Sequence, residues 1–389
     1  MTKCDRSLAV LYLSVFVAVL GFSLVSPIFP LYVIDLGASY TLLGIIISVY
    51  GAVQLLTQIP SGRLSDRIGR KPLILVGMLS FSLLAPLYVE VSSAYWLIPI
   101  RVFTGLGSAL VWPIAMALII DQVGRFQRGW AMGWYNASIY SALAVGPAIG
   151  GGLYDIFGIK APFYFWSLLT FASFFIVLTQ VEDAPQSNET ECEEGCSKES
   201  LILPGYWVTF VACCGTVMWA GLMSGFNMTL LPSYAAGLNF STTEIGLLYF
   251  ALAGSTTLSN VHFGKVSDRK KRKPLILAGC ALGALSFFQL TTADGIFSVM
   301  LVMAFLGMSI GMINPAASAM IADITNPMRR GEIFGIFNTA RMLGMVLGPL
   351  ISGIAADLYD IGGAIMAFVV IAALITAGTT LLKESERDF

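Results

Sequence analysis

The sequence has little charge. Asp, Glu, Lys and Arg make up only 12% of its 389 residues, whereas 57% are hydrophobic. A soluble domain carries about 25% charged residues, so a chain this apolar has too few polar groups to form a water-facing surface. We therefore expect an integral membrane protein. At about 20 residues per transmembrane helix, the length is sufficient for about twelve helices.

Features that support enzymatic or nucleic-acid-binding functions are also missing. The chain has one histidine, and its six cysteines form no pattern of tetrahedral metal ligands. It has no phosphate-binding loop ending in Gly-Lys-Ser or Gly-Lys-Thr. Its net charge is −1, so there is no excess of basic residues to attract nucleic acid. We expect no enzyme, no cofactor or metal, and no nucleic-acid partner.

Twelve apolar runs separated by short connections predict twelve transmembrane spans. They lie near residues 8–30, 42–61, 73–91, 97–120, 130–152, 163–181, 205–231, 243–263, 275–293, 296–321, 333–355 and 363–382. The acidic stretch 182–204 divides them into two groups of six and is predicted to be a flexible cytoplasmic linker. The predicted domains are an N-terminal six-helix bundle over 1–181 and a C-terminal one over 205–389.

The basic residues are concentrated on one side of this topology. Of the 22 Lys and Arg residues, 19 fall in connections on the side of the termini and only Lys160 lies on the other side. The remaining two, Arg101 and Arg341, lie inside spans. Because positively charged loops stay in the cytoplasm, both termini are predicted to be cytoplasmic, and we expect a multi-pass protein of the cell membrane.

An internal repeat relates the two halves. A single shift of 202 positions, without gaps, brings identical landmark residues into coincidence at many points along a stretch of about 125 residues, which is not a chance event. Pairs that coincide include Pro30 and Pro232, Asp121 and Asp323, Gly146-Pro147 and Gly348-Pro349, and Asp155 and Asp357. Parallel repeats of this kind are related by an axis along the membrane normal, and their binding site is expected near the midplane.

The connection after the second run reads GRLSDRIGRKP over residues 62–72. Gly62 is expected to let two helices approach, and Gly69 to take a positive φ. Asp66 is placed to accept hydrogen bonds from the start of a helix. The copy in the second half, GKVSDRKKRKP over 264–274, has Lys271 in place of the second glycine.

This loop and its copy resemble the signature loop of the major facilitator superfamily. Three other segments agree. GFSLVSPIFP over 21–30 resembles the first-span motif of its twelve-span drug:proton antiporter branch. RVFTGLG over 101–107 resembles the superfamily's fourth-span motif, and GPAIGG over 146–151 resembles its fifth-span antiporter motif. Ala142 stands where the fifth-span motif favours glycine. The resemblance covers essentially the whole chain. It implies an all-α integral membrane fold with 12 transmembrane helices in two pseudo-symmetric six-helix bundles that work by rocker-switch alternating access.

The resemblance also implies a gating latch. In the family, the aspartate that matches Asp66 engages the start of span 11, and the arginine that matches Arg70 pairs with the acid that matches Asp121. The alternative is that these basic loops only set the topology. The expected latch residues of the two halves are Gly62, Asp66, Arg67, Gly69, Arg70 and Asp121, and Gly264, Asp268, Arg272 and Asp323.

Two arginines lie within spans, where a charge needs a cavity or a partner. Arg101 matches the family arginine that is linked to proton transfer; alternatively it snorkels to the outer interface. Arg341 has no counterpart in the first half, because Ile139 stands there. We interpret Arg341 as a contact for a substrate or an anion, with a polar tether between helices as the alternative.

Proton coupling lacks an obvious carboxylate. The spans hold no acid near the midplane, and the acids nearest to it lie at outer helix ends, where each is expected to be solvated. These acids are Asp35, Glu90, Asp155 and Asp357. If one of them couples protons, we expect it to be Glu90 or Asp35, with Arg101 lowering its pKa.

Glycine–proline pairs inside spans 5 and 11 predict bends, because proline removes a helix hydrogen bond. We expect a hinge or seal there, with a passive kink as the alternative. The residues concerned are Gly146, Pro147, Gly150, Gly348 and Pro349. A solute cavity is expected to use polar side chains within spans, and the candidates are Asn136, Tyr140, Asn227 and Asn338.

These observations together predict a secondary active transporter that exports small amphipathic, drug-like solutes in exchange for protons. One alternative is a uniporter or proton symporter of a sugar or an organic acid. A weaker alternative is a non-transporting membrane sensor on the same fold. The expected partners are a small-molecule solute, protons and the lipid bilayer, and we expect a monomer.

Overall fold

The structure is a computed structural model. It describes residues 3–123, 127–181, 202–203, 205–269, 271–326 and 329–384. Apart from residues 202–203, the predicted linker 182–204 lies outside the described residues.

Thirteen α-helices account for most of the described chain, and the fold is all-α. In chain order they are α1 (Lys3–Leu24), α2 (Phe29–Asp35), α3 (Tyr40–Ile68), α4 (Arg70–Leu87), α5 (Leu97–Gln122), α6 (Arg128–Phe157), α7 (Lys160–Gln180), α8 (Trp207–Thr229), α9 (Leu231–Gly237), α10 (Thr242–Arg269), α11 (Arg272–Leu290), α12 (Ile296–Ile324) and α13 (Arg330–Gly378). One turn of 3-10 helix, Ala94–Trp96, precedes α5, and another, Thr379–Leu381, follows α13.

The thirteen helices correspond to the twelve predicted spans. The first and seventh runs are each divided into a long and a short helix, and Pro30 and Pro232 are the second residues of the short helices. Proline is favoured in a first helical turn, where its missing N–H is not needed. The last two runs form the single helix α13, interrupted at Asp360, whose φ is 67°.

Length and apolarity alone identify fewer spans than this. Nine helical segments of the described chain are long and apolar enough to cross a membrane, and the last of them, Gly331–Leu381, contains two predicted runs. The helices α6 and α10 are not among the nine, since both carry glycines and polar side chains in mid-helix. Counting the last segment twice and adding α6 and α10 gives the twelve predicted spans.

The chain folds into two compact units that follow the sequence repeats with one exception. Unit 1 consists of Met1–Ala38, Val49–Thr190 and Asn239–Phe250, and unit 2 consists of Ser39–Ser48, Glu191–Leu238 and Ala251–Phe389. The first residues of α3 thus group with unit 2, and those of α10 group with unit 1. The domain limits expected from sequence, 1–181 and 205–389, did not anticipate this exchange.

Each unit has a buried aromatic cluster at its core. In unit 1, Trp166 of α7 lies 6.0 Å from Phe81 of α4 and 6.3 Å from Phe22 of α1, measured between ring centres. In unit 2, Trp219 of α8 packs in the same way against Phe287 and Phe368. Such ring contacts stabilise helix packing where lipid removes most of the hydrophobic drive for helix association.

Glycines set the distance between the helices that pack most closely. A Cβ atom on Gly146 of α6 would lie 1.9 Å from Ser23 Oγ of α1, and one on Gly150 would lie 1.8 Å from the Leu24 carbonyl oxygen. In unit 2, a Cβ atom on Gly344 of α13 would lie 2.1 Å from a carbonyl oxygen of α8. Small residues at these positions are what allow the backbones to approach.

This packing predicts different outcomes for two nearby glycines of α6. Gly150→Ala forces α1 and α6 apart and is expected to destabilise the protein by about 1–3 kcal/mol. Gly152→Ala is the matched control, because nothing lies within 4 Å of the Cβ atom that it adds. It is expected to be neutral or slightly stabilising, since alanine favours helix. Thermal unfolding of the detergent-purified variants measures both effects, and equal midpoints would contradict the packing argument.

Candidate functional site

The predicted loop over residues 62–72 is almost entirely helical. α3 continues to Ile68 and α4 begins at Arg70, so the turn is reduced to Gly69. The φ of Gly69 is 96°, as predicted from its residue type. The expectation for Gly62 was wrong, because it lies inside α3 and a Cβ atom there would meet nothing within 4 Å.

The turn places Arg70 against the end of α5. Its Nη1 lies 2.7 Å from Asp121 Oδ2, and its Nη2 lies 3.9 Å from Asp66 Oδ1. Both side chains of the Arg70–Asp121 pair are partly exposed, at 21% and 30%. Asp66 and Arg67 lie on the last turn of α3 and are exposed. The contact of Asp66 with the start of span 11 stays a prediction.

The second half contains the equivalent ion pair in a more buried setting. Arg272, the first residue of α11, bonds through Nη1 to Asp323 Oδ2 and to the Ala319 carbonyl oxygen of α12. Its Nε donates to the Ser267 carbonyl oxygen at 3.4 Å. The side chains of Arg272 and Asp323 are only 10% and 7% exposed. A pair this enclosed is costly to break from one side, because the remaining charge stays buried.

The other residues expected in the latch of the second half provide less support for it. Lys271, which replaces the second glycine, has φ −55°, so this turn does not need the left-handed conformation that Gly69 adopts. A Cβ atom on Gly264 would make only an ordinary contact, at 3.9 Å from Pro315 Cβ. The side chain of Asp268 lies outside the described residues.

Arg101 lies in an aromatic cage. It is the fifth residue of α5 and is 6% exposed. Its guanidinium carbon lies 3.8 Å from the centre of the Phe29 ring, 5.3 Å from that of Tyr88 and 5.7 Å from that of Tyr50. A desolvated cation–π contact is worth about 2 kcal/mol. The alternative that Arg101 snorkels to the interface was wrong, because the cage encloses its side chain.

No carboxylate neutralises this cation within the part of the chain that the structure describes. Arg101 forms no ion pair there, and its Nε has no hydrogen-bond acceptor. Removing a guanidinium from water costs several kcal/mol, and the rings of the cage offset only part of that cost. A charge retained at this cost is a functional candidate by default.

Glu90 forms an ion pair with Lys160 that was not predicted from the sequence. Its Oε1 accepts hydrogen bonds from Lys160 Nζ at 2.8 Å and from Tyr164 Oη at 3.1 Å. These bonds, chiefly that from Lys160, hold the pKa of the Glu90 carboxyl below its ordinary value. The expectation that Arg101 lowers this pKa was therefore wrong. The sequence did contain an indication of this pair, because Lys160 is the only basic residue in the loops on the predicted outer side.

Arg341 and Asn338 form a polar group on α13. Asn338 Oδ1 accepts hydrogen bonds from Arg341 Nη2 at 2.8 Å and from Arg341 Nε at 3.3 Å. Asn338 is exposed and Arg341 is partly exposed, so both remain candidates for contact with a solute. Their spacing of three residues puts them on one helix face, which sequence alone could have indicated.

The remaining cavity candidates differ in exposure. Asn136 is exposed and Tyr140 is partly exposed, both on α6. Asn227 is 1% exposed, and its Nδ2 donates to the Met223 carbonyl oxygen one turn earlier on α8. That position lies within the packing of unit 2 rather than at an open surface, which argues against a cavity role. Among the described residues, no group of three or more His, Cys, Asp and Glu could hold a metal ion.

The residues that follow the glycine–proline pairs make contacts not expected from sequence. Asp155 of α6 accepts a hydrogen bond from the Thr243 N–H at 2.9 Å, and Asp357 of α13 accepts one from the Thr41 N–H at 2.8 Å. Both carboxylates are exposed, but neither is merely solvated as expected. Helices α6 and α13 continue through Pro147 and Pro349, and the predicted bends stay predictions.

Comparison with known proteins identifies the family. The Major Facilitator Superfamily model matches residues 11–226 and 212–388, which together span nearly the whole chain. The chain belongs to the major facilitator superfamily. It is therefore an integral, multi-pass membrane transporter and not an enzyme.

Relatives of this superfamily member match along most of their length. An uncharacterized MFS-type transporter of Methanocaldococcus jannaschii is 27% identical over 93% of this chain and 94% of its own. Multidrug resistance protein 2 of Bacillus subtilis is 28% identical, covering 90% and 88%. The quinolone resistance protein NorA of Staphylococcus aureus is 26% identical, covering 98% and 99%. The resemblance to the twelve-span drug:proton antiporter branch is thus confirmed.

Solved structures of superfamily members share the fold. A bacterial homolog of the human lysosomal transporter Spinster, in an inward-facing and occupied conformation, matches with a TM-score of 0.82 at 14% identity, over 98% of this chain and 97% of its own. The nucleoside transporter NupG matches with a TM-score of 0.80 at 13% identity, over 97% and 100%. The predicted fold class, 12 transmembrane helices in two pseudo-symmetric six-helix bundles, is confirmed.

The two ion pairs of this transporter are expected to differ in their contribution to stability. Asp323→Asn leaves the buried Arg272 uncompensated and is expected to cost about 3–5 kcal/mol. Asp121→Asn is expected to cost less, because water partly solvates Arg70 when its partner is lost. Glu332→Gln is the control, since it breaks an exposed pair with Arg329 and is expected to cost at most about 1 kcal/mol. Thermal unfolding gives the order, and an equal or larger loss for Asp121→Asn would contradict it.

The wild-type Arg101 side chain is expected to destabilise the folded protein while supporting transport. Arg101→Leu removes a buried cation that no carboxylate neutralises in the described chain, so the unfolding midpoint is expected to stay or rise while transport is lost. Arg101→Lys keeps the charge but loses the planar stacking of the guanidinium, and an intermediate transport rate is expected. Dye transport in membrane vesicles and thermal unfolding of the same variants test both points. A Leu variant that transports normally would show that the charge is dispensable.

Proposed function

We propose that this transporter exports small amphipathic organic solutes from the cell in exchange for protons. The observation that carries the proposal is the match, over 90% to 98% of this chain, to relatives named for multidrug and quinolone resistance. The sequence contains no phosphate-binding loop of the kind that ATP-driven pumps use, which supports a secondary active mechanism. The proposed mechanism is alternating access by rocking of the two repeats.

The duplicated ion pairs support the proposed gating. Each pair joins the start of one helix to the end of another, Arg70 to Asp121 and Arg272 to Asp323. Paired charges of this kind have two discrete arrangements, formed and broken, and can hold a loop in one of two positions. The first pair fixes the turn at Gly69 and, with it, the end of α3 that carries Asp66. In the proposal, Asp66 then engages and releases the start of span 11 during the cycle.

Of the two carboxylates considered for proton coupling, Asp35 is the better candidate. A coupled carboxylate must take up and release a proton during the cycle, so a carboxyl that a cationic partner holds in the ionised form is disfavoured. The hydrogen bonds from Lys160 and Tyr164 lower the pKa of Glu90 and so favour its ionised form. Asp35 ends α2 and is exposed. We propose that protons are carried through Asp35 and that Glu90 and Lys160 form a structural pair.

The proposed setting is the cell membrane, with both termini in the cytoplasm and the protein acting as a monomer. The distribution of Lys and Arg supports this orientation, since 19 of 22 lie on the side of the termini. In this orientation, the turns that carry the Arg70 and Arg272 pairs face the cytoplasm, and the Glu90–Lys160 pair faces outward.

A uniporter or proton symporter of a sugar or an organic acid is the second candidate. The observation in its favour is the lack of any carboxylate near the middle of the spans in the sequence, which leaves coupling to a group at a helix end. The buried cation Arg101 also favours an anionic solute over a cationic one, because it makes its surroundings positive.

Reconstitution into liposomes with an imposed pH gradient tests the proposal. Movement of an amphipathic dye that follows the gradient is expected for the wild type and for Glu90→Gln, and loss of that dependence is expected for Asp35→Asn. Accumulation of a sugar or an organic acid with no dye movement would favour the second candidate. Dye movement that ignores the gradient in the wild type would reject proton exchange altogether.

A further inference from the structure

Asp155 holds the start of α10 in unit 1. Its Oδ2 accepts hydrogen bonds from the Thr243 N–H at 2.9 Å and from the Thr243 hydroxyl at 2.5 Å. The two helices are in backbone contact there. A Cβ atom on Gly151 would lie 2.3 Å from the Thr242 carbonyl oxygen, and one on Gly246 would lie 2.4 Å from the Pro147 carbonyl oxygen. We call this contact clamp 1.

Asp357 holds the start of α3 in unit 2 in the same manner. Its Oδ1 accepts from the Tyr40 N–H at 2.9 Å, and its Oδ2 accepts from the Thr41 N–H at 2.8 Å. The glycines repeat as well. A Cβ atom on Gly353 would lie 2.2 Å from the Tyr40 carbonyl oxygen, and one on Gly44 would lie 2.4 Å from the Pro349 carbonyl oxygen. We call this contact clamp 2.

The two clamps are equivalent under the 202-residue repeat. The shift converts Gly44, Pro147, Gly151 and Asp155 into Gly246, Pro349, Gly353 and Asp357. Each clamp joins a helix of one repeat to a helix of the other, α6 to α10 and α13 to α3. The exchange of short segments between the units reflects these contacts, since residues 39–48 and 239–250 are the segments that are held.

The carboxylates of the clamps bind helix N–H groups on a side of the molecule where basic residues are scarce. Lys160 is the only basic residue in the loops there, and it already pairs with Glu90. A carboxylate on that side therefore lacks a second cation. The N–H groups at the start of a helix are the available donors, and the helix dipole favours a negative charge beside them. Because these carboxylates are exposed, water solvates them on release, and the contact can break and re-form.

We propose that Asp155 and Asp357 are positioning residues for transport, which reversibly dock the helix start of the opposite repeat and close the solute path on that side. The path opens there when both carboxylates release α10 and α3. The inference rests on alternating access in the proposed function, and it does not depend on proton exchange or on the identity of the solute.

A buried serine beside clamp 2 reports on its release. Ser48 Oγ donates to the Val346 carbonyl oxygen at 2.6 Å, between α3 and α13, and the residue is 9% exposed. Ser48→Cys, in full-length protein whose six native cysteines are replaced, can react with a membrane-impermeant maleimide only when α3 leaves α13. Labelling in right-side-out and inverted vesicles gives the side of access, and it needs no transported solute.

Asp357→Asn, added to the Ser48→Cys protein, is expected to raise the rate of maleimide labelling about fivefold, the factor that corresponds to losing one helix cap. The amide has one acceptor oxygen where the carboxylate uses two, and its NH2 group meets a backbone donor. Asp360→Asn is the matched control on the same helix, because the Asp360 carboxylate accepts a hydrogen bond from the Gly363 N–H of its own repeat and from no other described residue. Asp357→Glu restores the charge and is expected to return labelling toward the rate of the Ser48→Cys protein alone.

Clamp 1 has its own control at the helix start that it holds. Glu244 caps α10 from within the same repeat, accepting from the Ser241 N–H at 2.7 Å. Asp155→Asn is expected to slow transport turnover with little change in KM, whereas Glu244→Gln leaves turnover unchanged. Unfolding midpoints equal to the wild type show that the changes come from release and not from misfolding.

The proposal is overturned if Asp357→Asn leaves the labelling rate of the Ser48→Cys protein unchanged, or if Asp360→Asn raises labelling as much. Failure of the proposed function looks different. A protein that moves no dye, yet shows increased labelling only with Asp357→Asn, retains the clamp and loses only the assigned solute.

Discussion

The structure depends on one constraint, which is that a charge or a backbone polar group in an apolar environment needs a partner within the protein. The all-helical fold satisfies the backbone. The charged side chains gather at helix ends, where one helix supplies the partner for another. Arg70 and Asp121 meet in this way, and so do Arg272 and Asp323. On the predicted outer side, where cations are scarce, helix starts take the place of basic residues.

The positions of the spans followed from the apolar runs, but the ends of the helices did not. Hydropathy reports which residues suit lipid, whereas a helix continues for as long as its backbone bonds can form. α3 therefore extends to Ile68 through the charged sequence that hydropathy assigns to a loop, and the turn is a single glycine. The break at Asp360 falls within the predicted connection between the last two runs, but its reduction to a single residue with a positive φ was not expected, since nothing in the local sequence specifies that conformation at an aspartate.

The site was predictable where the chain carries a repeated motif and unpredictable where distant segments meet. Arg70 and Asp121 were connected through the family resemblance. The cage around Arg101 was not, because its rings come from α2, from α3 and from the residue that follows α4. Such a set has no spacing that a sequence could reveal. The Glu90–Lys160 pair lies between these cases, since charge scarcity on one side indicated Lys160 but not its partner.

The repeat separates two kinds of feature in this transporter. The ion pairs and the clamps occur twice, in equivalent positions. Arg101 and Arg341 occur once, since Met303 and Ile139 stand at the equivalent positions. A rocking motion needs matched contacts in both repeats, because each repeat must be held and released in turn. Binding one asymmetric solute needs no such match. We therefore propose that the duplicated residues serve the movement and that the unduplicated arginines set the selectivity for a solute.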